Sequence, residues 1–164
     1  MLPERYAPSR QNHELKRGLW VTKEISDVLT DKLVPAEFKN AEPLALSDAQ
    51  IVRDNFSFGW LVTVSRQKPG KSAVIKQKHG ADEVWTFCLR KISPGWRIIG
   101  RFLEQDCFVG VRIVPRSRIG MDGTKLFIEC ATEMDVKFAG LPCVRSDNLS
   151  HYLTGQYNDL DKDN

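Results

Sequence analysis

An α+β fold is what this sequence predicts: a mainly antiparallel sheet of four to five strands, running as a meander, with two N-terminal helices and one C-terminal helix. Three observations carry that expectation. Helical stripes occupy the stretch before residue 56, period-two patterning with β-branched and aromatic residues follows it, and a helical stripe returns after residue 124.

Residues 1–17 are polar, contain two prolines and show no periodicity, so an extended arm is expected there. In "VTKEISDVLTDKLVP" the residues Ile25, Val28, Leu29, Lys32 and Leu33 fall on one helical stripe, Thr22 can cap its start and Pro35 limits its end. Ser47 followed by Gln50 fits a capping box, which starts a short second helix. "FSFGWLVTVSR" reads as a strand, and "KSAVIKQK" as a weaker strand or a short helix. "EVWTFCLRKI", "WRIIGRFLEQ" and "CFVGVRIVP" then read as three consecutive antiparallel strands. Pro94-Gly95 suits the middle of a type II turn, since proline presets the first dihedral and glycine accepts the positive one. Phe127, Cys130, Ala131, Met134 and Phe138 keep helical spacing, with Gly140 and Pro142 placed as stop signals. "NLSHYL" reads as a small helical turn packed on the body. Residues 18–155 are thus expected as a single domain, and 156–164 as an acidic frayed tail.

At 164 residues the chain can bury a core without disulfides, and 41% apolar with 27% charged residues excludes disorder throughout. No apolar run approaches the roughly 20 residues of a membrane span, and "MLPERYAPSR" lacks the apolar core of a secretion signal. A cytoplasmic location without membrane contact is the expectation. Cys88, Cys107, Cys130 and Cys143 form no C-x-x-C pair, which argues for free thiols; neither a metal nor a cofactor is expected.

Net charge is only +3, but residues 66–118 hold twelve Lys or Arg against four Asp or Glu, while the rest of the chain is acidic by five charges. Strand alternation sharpens this imbalance. With regular pairing, Arg90, Arg97, Arg101 and Arg112 emerge from one side of the sheet, and Arg116 and Arg118 extend the patch. Trp85, Phe87, Leu89, Trp96, Ile98, Phe102, Val109, Val111 and Ile113 take the apolar side. Like charges on adjacent strands repel by a few tenths to about 1 kcal/mol per opposed pair. Acidic flanks of the same chain, an acidic partner protein, or a polyanion such as RNA could each offset that. Arginine's planar fork suits phosphate.

"WTFCLRKISPGWRIIGRF" followed by "DCFVGVRIVPRSR" resembles the last three strands of RelE-like toxins, which are messenger-RNA interferases, over residues 85–118. The resemblance rests on Leu89-Arg90, on Gly95-Trp96-Arg97, and on the basic end at Arg116 and Arg118. It implies metal-independent endoribonuclease activity, RNA or the ribosome as target, and an antitoxin as partner. Thr86 and Cys88 stand where ribosome-dependent members carry lysines, and no tyrosine follows the third strand.

RNA cleavage needs a proton acceptor and a cation for the transition-state charge. Arg97, Arg101 and Arg116 are the candidate cations and His79 the acid–base candidate, with Lys76 and Lys78 beside it as further phosphate ligands. "SRQKPGKSAV" echoes a phosphate-binding loop, but Ser65 stands where its first glycine is required. Cys143 with His151 is a conceivable nucleophile–base pair. Two readings result: a protein that binds RNA or another polyanion on the arginine-bearing face, or a small interaction or inhibitor protein that docks an acidic partner.

Overall fold

Two residues, Gln105 and Asp106, join the two longest strands, 96–104 and 107–115, which lie side by side in the middle of the sheet. The computed structural model describes residues 3–8, 13–66, 73–78, 82–89, 95–120 and 123–162. In chain order these form β1 (Glu4–Arg5), β2 (Gly18–Val21), α1 (Lys23–Leu29), α2 (Leu46–Ser57), β3 (Val62–Ser65), β4 (Ile75–Gln77), β5 (Trp85–Leu89), β6 (Trp96–Glu104), β7 (Cys107–Pro115), α3 (Gly123–Lys137) and β8 (Tyr157–Asp159). Short 3₁₀ turns cover Ala36–Phe38, Arg116–Ile119 and Leu149–His151.

All eight strands join one sheet in the order β1-β2-β7-β6-β5-β4-β3-β8. Strands β4 to β7 are antiparallel neighbours, whereas β2 runs parallel to β7, and β3 runs parallel to both β4 and β8. The expected four- to five-stranded, mainly antiparallel meander is therefore corrected to an eight-stranded mixed sheet. The added strands β1, β2 and β8 are two to four residues long, and β2 and β8 pair with segments far away in sequence. Such strands carry almost no periodicity of their own. Strands at both ends, β1 and β8, lie inside the stretches expected as an arm and a frayed tail.

Local chemistry explains the helix bounds. The Thr22 side chain accepts from the Ile25 amide, and Asp31 with φ 57° ends the stripe before Lys32 and Leu33. Helix α2 begins at Leu46 after Ala45, without a side-chain cap, so Ser47 lies inside it. It also absorbs Phe56 and Ser57, which the sequence assigned to a strand. The turn at Pro94 lies outside the described residues; Gly95 has φ 128°.

The two faces of the sheet are both covered. Phe56 of α2 meets Phe87 edge-on at 5.1 Å, and Phe38 meets Trp96 at 5.5 Å on the same side. The opposite side is roofed by α3, whose buried Phe127, Cys130 and Met134 face the sheet. Among the described residues no helix is long and apolar enough to cross a membrane.

Candidate functional site

The register sets which side chains share the α3 side. Lys76 pairs with Thr86, Thr86 with Ile99, and Ile99 with Arg112; Cys88 pairs with Arg97, and Arg97 with Val114. Arg97, Arg101 and Arg112 therefore rise from one face with Lys76 and Lys78. Gly100 faces Gly110 while Ile99 faces Arg112, which makes Val111 the extra residue of a β-bulge. Val109, assigned by the sequence to the apolar side with Ile113, consequently lies beside Arg101.

Helix α3 meets these arginines with acids. Arg112 Nε donates to Glu133 Oε2 at 2.7 Å, and its Nη1 lies 3.7 Å from Glu129. Arg101, 4% exposed, donates to Asp135 Oδ1 at 2.8 Å, while its Nε and Nη2 find no hydrogen-bond acceptor among the described residues. Two members of the expected polyanion surface thus tie a helix to the sheet. Glu129 and Glu133 stand four residues apart on α3, a spacing visible in the sequence but unconnected there to any arginine.

Burial opposes ionisation of Glu133, yet hydrogen bonds from Lys137 and Arg112 pull its pKa below the ordinary carboxylate range. A depressed carboxyl contributes stability that is full above about pH 4.3 and is lost as pH falls through the lower folded value. Glu133→Gln should cost about 1 kcal/mol near neutrality and flatten the acid limb of a denaturation-midpoint-against-pH curve. An unchanged acid limb would contradict that role.

The remaining cations gather toward the start of α3. The Lys78 ammonium sits 5.2 Å from the Phe127 ring centroid. Burial lowers its pKa first; Cys88 opposes that more strongly than any single neighbouring cation adds to it, and the positive charges of Lys76, Arg116 and Arg97 lower it further. Arg97, 6% exposed, donates to the carbonyls of Gly95 and Trp96. Arg116 and Arg118 are exposed on the 3₁₀ turn that follows β7, and the first turn of α3, from Gly123, carries no acid. Arg90 and His79, with the Gly70-Lys71-Ser72 stretch, lie outside the described residues.

Cys143 and His151 are engaged separately. The Cys143 sulfur lies 3.7 Å from the Val144 carbonyl oxygen and burial pushes its pKa up, while His151 Nδ1 pairs with Ser146 Oγ at 2.7 Å. Among the described residues no three His, Cys, Asp or Glu side chains group closely enough to hold a metal ion. No family model, curated protein or solved structure matches the chain.

Proposed function

We propose that the chain binds a phosphate polymer, with single-stranded RNA as the class, at the basic corner formed by Lys76, Lys78, Arg97, Arg116 and Arg118. The observation that carries this reading is the Lys78 ammonium, half-buried against Phe127 and crowded by three further cations. Held in a low-dielectric setting, such a group is costly until an anion arrives. A phosphate bridging Lys78 and Arg116 removes the repulsion, and the exposed Arg118 extends the path for a neighbouring phosphate. Single strands suit a corner of this size better than a rigid duplex, because a flexible backbone can bend its phosphates into it.

Binding of labelled RNA homopolymers should weaken with salt, with a log–log slope of roughly −2 to −3, as for three or four neutralised phosphates. Lys78→Gln with Arg116→Gln should lower affinity at least about tenfold and flatten the slope, whereas Lys32→Gln, exposed elsewhere, should not. Absence of RNA binding by the unaltered protein at low salt would sink the proposal. Equal losses in all variants would do the same.

A further inference from the structure

Strand β7 is paired along its whole length on one side only. Strand β6 accompanies it from Cys107 to Pro115, but β2 stops at Val21, opposite Gly110. The bulge at Val111 follows directly on the last residue that β2 pairs. Among the described residues no strand occupies the lane beyond, alongside residues 111–115. A cleft of about 560 Å³ lies along that lane, and four consecutive β7 residues, Val111 to Val114, line it. Consecutive residues of a strand point to opposite faces. A cleft touching all four therefore runs along the strand's edge, where alternate backbone amides and carbonyls face outward.

Its walls differ in charge. On the α1 side stand Glu24 and Glu37, both exposed. The α3 side presents Arg118 and Lys125, also exposed, while the Arg112 charge there is taken up by Glu129 and Glu133. We infer that this lane accepts an extended segment of a partner protein, added to the sheet as a strand in the continuation of β2, in which basic and acidic residues alternate. Alternation follows from the geometry: a strand in the lane sends every second side chain toward Glu24 and Glu37, and the intervening ones toward Arg118 and Lys125. Backbone pairing supplies affinity and the two walls supply selection.

The probe is a fluorescein-labelled six-residue peptide in which lysine and glutamate alternate, with anisotropy as the readout at low salt. A control of the same composition, ordered Lys-Glu-Glu-Lys-Lys-Glu, puts like and unlike charges on both faces and should bind at least about tenfold more weakly. Glu24→Gln with Glu37→Gln should weaken the alternating peptide to a similar degree, with an unchanged circular-dichroism spectrum. N-methylation at one set of alternate peptide amides should abolish binding, and at the other set leave it within about threefold. Equal binding of the two peptides, or equal effects of the two methylation sets, overturns the inference. Dimerisation of the free protein that the Glu24 and Glu37 changes abolish would also overturn it, by giving the lane to a second copy.

Discussion

Arg17→Met should cost about 3–5 kcal/mol of stability, the range for breaking a buried charge pair by removing one partner. Arg17 is 1% exposed. Its guanidinium donates to the backbone carbonyls of Trp60, Thr154 and Gln156, its Nε lies 3.4 Å from Asp106, and it sits 5.6 Å from the Phe56 ring centroid. Burial lowers its pKa, and Asp106 is the charge that holds it up. Methionine keeps much of the stem's packing but leaves three carbonyls without their donor and Asp106 without its cation. Asp106 also accepts from the Thr154 amide and hydroxyl. The segment leading into β8 is therefore held by this guanidinium together with the Asp106 it pairs with. Chemical denaturation should show the lowered midpoint, and amide exchange should accelerate first in residues 154–160. A loss below about 1 kcal/mol, or exchange rising equally everywhere, would contradict the anchoring role.

Arg17 shows what the sequence conceals. In "HELKRG" it looks like one more solvated charge, because nothing local signals that the partners lie near residues 60, 106 and 155. The same limit hid the parallel pairings. Strand β2 is "GLWV" and β8 is "YND", each too short to show alternation, and their neighbours are set by tertiary packing. By contrast, the stripe of Phe127, Cys130 and Met134 was readable, since fifteen helical residues average out local ambiguity. The common side of Arg97, Arg101 and Arg112 was readable from strand alternation, but the placement of α3 over it was not. A net charge count treats Glu129, Glu133 and Asp135 as a distant acidic flank; the fold delivers them onto the arginines.

The bulge that places those arginines also sets the last and most discriminating expectation. At Gly100 an added Cβ would lie 2.1 Å from the Val109 carbonyl oxygen, 2.8 Å from the Val109 carbonyl carbon and 2.9 Å from the Gly110 Cα. All three are backbone atoms of the neighbouring strand, so relief requires β6 and β7 to part at the sheet's centre. Overpacking a core with room to adjust costs about 1–3 kcal/mol, and Gly100→Ala should reach or exceed the top of that range. At Gly110 the nearest atom to an added Cβ is the Ile98 Cγ2 methyl, at 2.4 Å. That obstacle is a side-chain end, so Gly110→Ala should cost less. Ile98→Leu removes the branch methyl at issue and should recover part of the Gly110→Ala loss. The same change should do nothing for Gly100→Ala, where no side chain stands in the way. Thermal midpoints of the two alanine variants, each with and without Ile98→Leu, test the contrast directly. Equal costs at the two glycines, or rescue at both, would mean that the two strands do not approach through the Gly100–Gly110 contact, and the arrangement of the arginine face would have to be redrawn.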